Sequence, residues 1–493
     1  MLSCTSSDTA FSGGHSGCLC HKPEIRSLTR RISADLSRRG FVAGMVASAG
    51  LFGLPKFAGA QAAPVRNARP TFFTTFRLFD GRSDSLREGL RLLVVGNRIE
   101  AVADGNPAAP NDAQVIDCGG RVLMPGLIDA HWHSMFAALP LPTLLTGDIG
   151  YIHLAASVEA EHTLMRGFTT IRDLGGPAFA LKRAIDDGLV PGPRIYPCGA
   201  MITATGGHGD LRPLSDLPRG GGKLSQMEQT GGSSIADSPS DVRMRVREQL
   251  MQGASQIKLV GGGGVSSPRS PLDASTFTEP ELRAGVEAAG DWSTYVAVHA
   301  YAPATIQRAI AAGATCIEHG HLMDETTARL MAEKDVWLSI QPFLGAEDSV
   351  PLTGESRVKL LEVVAGTDTA YALAKKHNIK TAFGSDLLFS GTLTARQGIM
   401  LSHLTRWYTP SEILRMATGT NAELLGLSGP RNPYPGRVGV VEKDALADLL
   451  VVDGNPIENI ALMENPADNL SVIMKDGKIY KDLLDRSRGD RRP

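Results

Sequence analysis

Cysteine is scarce in this chain of 493 residues: there are six, and no two stand in a CxxC spacing. That spacing is the mark of a zinc ribbon, which is therefore excluded. Cys4, Cys18 and Cys20 precede an expected cleavage site. Cys118, Cys198 and Cys316 remain, an odd number that no full disulfide framework can use, so buried free thiols are expected. Surplus charge is also lacking. The formal net charge is -2, which gives no reason to expect a nucleic-acid partner. Beyond the amino-terminal leader there is no apolar run of membrane-spanning length. No GxGxxG register and no P-loop lysine follow the polyglycine run Gly261–Gly264, so that loop is not a phosphate cradle. What remains is globular composition, 42% hydrophobic and 21% charged, in a chain longer than one ordinary core holds.

The first 60 residues read as an export signal. Ser37-Arg38-Arg39-Gly40-Phe41-Val42 is a twin-arginine pattern, Phe41 to Leu54 is moderately apolar, and Ala58-Gly59-Ala60 offers small residues for cleavage. The expected location is periplasmic or secreted, with no stable membrane span once the signal is removed. The remaining chain carries 43 basic against 49 acidic residues.

Residues 61–122 and 428–493 are strand-rich and are expected to pair into one discontinuous β-sandwich domain. Between them, residues 123–427 alternate strands with helices. Strands are expected at Leu123–Ala130, Thr169–Leu174, Arg194–Cys198, Gln256–Val260, Tyr295–His299, Cys316–His319, Val336–Gln341 and Lys380–Gly384. Eight strands with intervening helices give an α/β fold, a (β/α)8 TIM-like barrel, in which catalytic groups sit at the carboxyl ends of strands. The Gly-, Ser- and Pro-rich stretch 205–241 reads as a lid or substrate loop.

Metal-ligand residue types fall where that rule places chemistry. His131 and His133 are two residues apart, so both rings leave one face of a strand. His299 and His319 end successive strands and suit a second ion. Lys258 lies inside an apolar strand, a costly place for an amine unless it is paired or modified; carboxylated by carbon dioxide, it would bridge two ions. Asp386 follows the last strand and can both bind a metal and take a proton from water. His208 and Tyr301 are candidates to polarise a substrate carbonyl, and Arg269 to contact a substrate carbonyl or carboxylate. His321 reads as a support or surface residue. Two zinc-like ions fit this set better than one.

The segments Pro125-Gly-Leu-Ile-Asp-Ala-His131-Trp-His133, Thr169-Thr-Ile-Arg-Asp-Leu-Gly-Gly176, Thr205-Gly-Gly-His208-Gly, Val298-His299-Ala-Tyr301, Ile317-Glu-His319-Gly, Gly384-Ser-Asp386 and Ala447-Asp-Leu-Leu-Val-Val-Asp-Gly-Asn-Pro456 resemble the amidohydrolase superfamily, in its imidazolonepropionase-like branch. Lys258 makes the chain similar to binuclear Xaa-Pro and carboxyl-terminal dipeptidases and ochratoxin-type amidases. The resemblance implies that His131, His133, Lys258 and Asp386 hold one zinc, and Lys258, His299 and His319 the other. Trp132 and the Lys443-Asp-Ala-Leu stretch depart from the pattern at positions that bear on packing.

The expected activity is hydrolysis of an amide or peptide bond in a small substrate, a dipeptide or N-acyl amino acid, by metal-activated hydroxide. The alternatives are a lactonase or phosphotriesterase on the same centre, then a mononuclear deaminase, then a non-catalytic binding protein. A homo-oligomer is the expected assembly.

Overall fold

The computed structural model describes residues 69–218 and 224–484. The export segment 1–60, and residues 61–68 and 485–493 of the expected β-sandwich domain, lie outside the described residues. Eight parallel strands carry the catalytic half. They are β1 (Leu127–Trp132), β2 (Phe168–Asp173), β3 (Arg194–Pro197), β4 (Ile257–Val260), β5 (Val296–Ala300), β6 (Cys316–His319), β7 (Trp337–Ile340) and β8 (Thr381–Phe383). Every residue in them is buried, as expected of parallel strands inside a ring of helices. The strands β1-β2-β3 and β4 to β8 form two parallel runs.

Polar side chains bridge the two junctions of this TIM-like barrel. The Gln256 amide donates to the carbonyls of Asp173 and Tyr196 at 3.1 and 2.8 Å, and the Ser255 N–H to Pro197 at 2.7 Å, joining β4 to β2 and β3. Asn421 donates to the carbonyls of Ile128 and Phe383, each at 2.8 Å, and accepts from the Phe383 N–H at 3.1 Å, tying β1 to β8. These groups are buried, so each pairing also avoids the cost of an unsatisfied donor or acceptor. Three of the helices between strands begin on side-chain caps: Asp148, Ser238 and Asp324 each accept a main-chain N–H in the first turn.

A four-stranded sheet (Thr71–Thr74, Leu90–Val95, Arg98–Asp104, Gln114–Asp117) and a five-stranded sheet (Arg77–Leu78, Val122–Pro125, Leu449–Val452, Leu470–Lys475, Lys478–Asp482) form the sandwich. Phe73, Leu92, Leu123, Leu449 and Val472 share its core. Arg194 joins it to the barrel. Its guanidinium donates to both carboxylate oxygens of Asp448, at 2.7 and 3.1 Å, and to Asp476 at 2.6 Å.

The expected single strand Leu123–Ala130 is two strands. Val122–Pro125 pairs antiparallel with Leu449–Val452 in the sandwich, and the chain then turns into β1 at Gly126. A Cβ there would stand 2.0 Å from Thr169 Oγ1, so only glycine passes between the two units. The sandwich therefore extends to Pro125 rather than stopping at residue 122. The stretch 205–241 is not all loop: Gln226–Gln229 is helical, and Ser233–Ile235 pairs with a strand at Met201–Thr203. Among the described residues no helix is long and apolar enough to cross a membrane. Cys118, Cys198 and Cys316 are free and buried.

Candidate metal centre

One cavity of about 1040 Å³, its open mouth included, lies over the strand ends. His131, His133, Lys258, His299, Tyr301, His319, Asp386 and His208 all line it. Arg269 does not. It is exposed in the loop after β4, among carbonyls that face inward onto Lys359, and the structure brings it to no candidate ligand.

His131 is in β1 and His133 is one residue past its end, beyond the strand on which the pair was expected. Their Nε2 atoms lie 3.5 and 3.3 Å from Asp386 Oδ1. The ligand atoms of these three residues all fall within 4.8 Å of one another. Asp386 Oδ1 is buried and has no hydrogen-bond partner. A buried, unpartnered carboxylate oxygen aimed at two imidazole nitrogens is a costly arrangement that a cation would satisfy.

The other imidazoles surround this group. His319 packs 4.9 Å from His131 and 4.4 Å from His299, ring centre to ring centre. Each ring has one nitrogen occupied by an oxygen of the fold. His133 Nδ1 is 3.1 Å from Gly175 O, His299 Nε2 2.7 Å from Gly263 O, and His319 Nδ1 2.7 Å from Gln341 Oε1. Those contacts fix the tautomers and leave His133 Nε2, His299 Nδ1 and His319 Nε2 for a metal. Burial, followed by the neighbouring amine and imidazoles, holds His131 and His319 well below the ordinary histidine range; His299 is lowered in the same way. Neutral imidazole is the ligating form.

Lys258 is buried in β4, and among the described residues no carboxylate comes within 4 Å of its amine. Burial lowers its pKa, with Glu318 and Asp386 opposing. A structural lysine in a core would be paired; this one is not, and its amine is biased toward the neutral form that carbon dioxide carboxylates. The donor set therefore fits divalent metal.

Support comes from residues that the motif reading passed over. Asp129, fully buried in β1, accepts from the His131 N–H (3.0 Å), the Ser385 N–H (3.1 Å), Ser385 Oγ (2.5 Å) and Gln397 (2.8 Å). It thereby locks the end of β1 to the segment bearing Asp386, whose own N–H donates to His131 O at 2.9 Å. Glu318 sits 2.8 Å from His131 Nδ1 and accepts from Arg172 at 2.7 Å, with both charges completely buried. Burial, the largest single effect, would depress the Arg172 guanidinium, but Glu318, Tyr295 and Cys316 together outweigh it and hold it well above its ordinary value. His319 and Asp386 adopt left-handed backbone at φ 76° and 50°, where non-glycine residues are strained, and two candidate ligands share that strain. His321 is buried, with Nε2 2.9 Å from Gln341 O.

Beyond the polar cluster the cavity wall is mostly apolar, with Ser266, Asp348 and Ser349 its polar members. Phe136, Leu144, Phe343, Val350, Leu360 and Phe389 are among its residues. The arrangement can hold cations at one end and a small apolar substrate at the other.

The sequence profile of the amidohydrolase family matches residues 122–480. The chain is 30% identical to ochratoxinase of Aspergillus niger over 383 residues, 73% of this chain and 76% of that one. Its fold is similar to the crystal structure of a prolidase complexed with N-methylphosphonate-L-proline (TM-score 0.76, 32% identity, covering 84% and 100% of the two chains). It is also similar to a Xaa-Pro dipeptidase with methionine in its active site (TM-score 0.73, 28% identity, covering 84% and 100%).

Proposed function

This chain belongs to the amidohydrolase family and is a hydrolase of amide or peptide C–N bonds, and we propose that it acts on a dipeptide or N-acyl amino acid at a centre of two divalent ions, with zinc the expected metal. The observation that carries this reading is Asp386 Oδ1, buried, without a hydrogen-bond partner, and facing two imidazoles at the end of an apolar cavity. Similarity to a prolidase, a Xaa-Pro dipeptidase and an ochratoxinase supports the choice of an amide as substrate.

His131, His133, Asp386 and a carboxylated Lys258 would hold one ion; the same Lys258 with His299 and His319 would hold the other. Bound there, the ions supply Lewis acidity toward a carbonyl and increase the acidity of water. The protein's own groups do the rest. The apolar wall seats the substrate's side chain and excludes bulk water. Tyr301 and His208 flank the position of the scissile carbonyl oxygen and donate to it as charge develops. As the water oxygen bonds to the carbonyl carbon, Asp386 takes its proton. When the C–N bond breaks, Asp386 returns that proton to the leaving nitrogen. Burial keeps the Tyr301 hydroxyl protonated, since its pKa is raised first by burial and then by Asp386.

Two further parts of the reading concern the whole protein. The twin-arginine pattern at Ser37–Val42 supports export. The helix Ile149–Met165 leaves Tyr151, Leu154 and Val158 exposed, at 56, 69 and 56%, which supports burial of that face between copies in a homo-oligomer.

The test is turnover of a panel of dipeptides and N-acyl amino acids beside esters, lactones and phosphotriesters, on protein of measured metal content. Preferential amide cleavage is the expected result. Preference for lactones or phosphotriesters would overturn the substrate assignment.

A further inference from the structure

The loop after β4 is organised around a group with no part in the mechanism above. Lys359, in the helix Gly354–Lys376, is nearly buried, and its amine donates to three main-chain carbonyls: Gly264 at 2.8 Å, Ser267 at 2.6 Å and Ser270 at 3.1 Å. Among the described residues no carboxylate lies within 4 Å of it. An ammonium has three N–H donors, and this one spends them on one loop. Glu355, one turn earlier in the helix, is the carboxylate that acts on it from a distance, and burial still outweighs it. A cation buried with no carboxylate in direct contact is unfavourable, so a lysine held this way is a costly means of folding a surface loop unless the loop's position matters.

The gathered loop touches two histidines of the cavity. Gly263 O takes His299 Nε2, as described above. Ser267 Oγ, itself buried, lies 2.8 Å from His208 Nδ1 and accepts from the Gly209 N–H at 3.5 Å. Gly264 packs so closely on His208 that a Cβ there would stand 2.2 Å from Nδ1. On its other side His208 stacks on His299 with ring centres 4.5 Å apart, and Thr203 Oγ1 holds its main-chain carbonyl at 2.9 Å. Ser267 Oγ accepts from the Gly209 N–H and still has its own hydroxyl hydrogen to give, and in one of the two tautomers of His208 that hydrogen goes to Nδ1. Nε2 then carries the ring proton.

We propose that Lys359 and Ser267 are positioning residues for His208: the Lys359 ammonium draws the 264–270 carbonyls together, and the loop so formed presents the Ser267 hydroxyl to Nδ1, leaving Nε2–H as the donor to the substrate carbonyl. This rests on the role given to His208 in the proposed function. Neither residue touches substrate; both act through the ring.

The experiment is a set of cycles among His208→Gln, Ser267→Ala and Lys359→Met, with N-acetyl-L-phenylalanine as probe and metal content measured for each protein. Ser267→Ala should lower kcat about 10-fold or more, the scale of lost support around a catalytic group, with KM within about twofold and metal content unchanged. Ser267→Thr should restore most of the rate. In the His208→Gln background the Ser267 and Lys359 changes should have less than about a twofold further effect, since residues acting through one group are not additive. Additive losses would overturn the proposal.

Hydrogen exchange supplies a readout independent of turnover and of any folding defect elsewhere. Lys359→Met should speed exchange about 10-fold or more in peptides covering 205–212 as well as 261–271, and leave the β-sandwich unchanged. Unchanged exchange in 205–212 would overturn the clamp. A wild-type protein inert toward every amide would instead remove the hydrolytic reading while the exchange result still decides the clamp.

Discussion

Replacing Arg172 with methionine isolates the buried charge that supports His131. Arg172 and Glu318 are both fully buried, and the guanidinium also donates to Ala130 O at 2.5 Å and to the Tyr295 hydroxyl at 3.1 Å. Methionine fills similar apolar volume and makes none of these bonds. Glu318 is then left as an uncompensated anion in the barrel interior. Removing one partner of a buried pair costs about 3–5 kcal/mol, most of it from the charge left behind rather than the bond lost. The double variant Arg172→Met with Glu318→Gln removes both charges, so it should recover about 1–3 kcal/mol of that loss. Urea unfolding followed by circular dichroism, at one fixed concentration of free metal, measures each step. The reasoning is refuted if Arg172→Met lies within about 1 kcal/mol of the wild type, or if adding Glu318→Gln makes it less stable still.

Asp386→Asn keeps the shape of the side chain and removes the base; kcat should fall by about 10² to 10⁴ with the circular dichroism spectrum unchanged, and undiminished turnover would remove Asp386 from the proton path. Gly384→Ala places a Cβ 2.4 Å from His131 Cβ and 2.8 Å from its main-chain nitrogen, so metal content should fall and stability drop by about 1–3 kcal/mol, read by mass spectrometry and urea unfolding; wild-type values for both would mean that the strand ends yield. Burial pushes the Asp476 carboxyl up, but Arg194, with Asn97 and Lys475, outweighs it and holds the folded pKa below the ordinary aspartate value. Its contribution to stability is therefore present above about pH 4 and lost as pH falls through the lowered folded value, and Asp476→Asn should flatten the acid limb of the unfolding profile there; an identical limb in both proteins would contradict the assignment.

The barrel was legible because its strands are apolar on both faces. The expected runs at Cys316–His319 and Gln256–Val260 match β6 and β4 to within a residue, and helices lie between the strands as the alternation implies. Gly126 was not legible as a break: the apolar run continues through it, and the steric reason is Thr169, in another strand. The histidine and aspartate candidates could be named because each sits in a short local pattern at or near a strand end, and Lys258 because it is an amine inside an apolar strand. Their supports could not, because the contacts are remote in sequence. Arg172 meets Glu318 across 146 positions, and Gln341 meets His131 across 210. One signal was available. Arg172 and Glu318 are charged residues inside apolar strands, the same anomaly that drew attention to Lys258, and applied evenly it would have marked all three. Arg269 shows a different limit: it lies exposed, outside the lining of the cavity. Loop residues carry no periodicity, so proximity in sequence to β4 said nothing about which way the loop folds, and Lys359, about 90 residues on, decides it.

The most direct test of the central claim is metal reconstitution. Chelated protein is titrated with zinc while bound metal, measured by mass spectrometry, is followed against amide hydrolysis. The account predicts an inactive metal-free protein whose turnover returns and saturates at about two ions per chain. Full activity without metal, or saturation at one ion with Lys258→Met indistinguishable from the wild type, would contradict it.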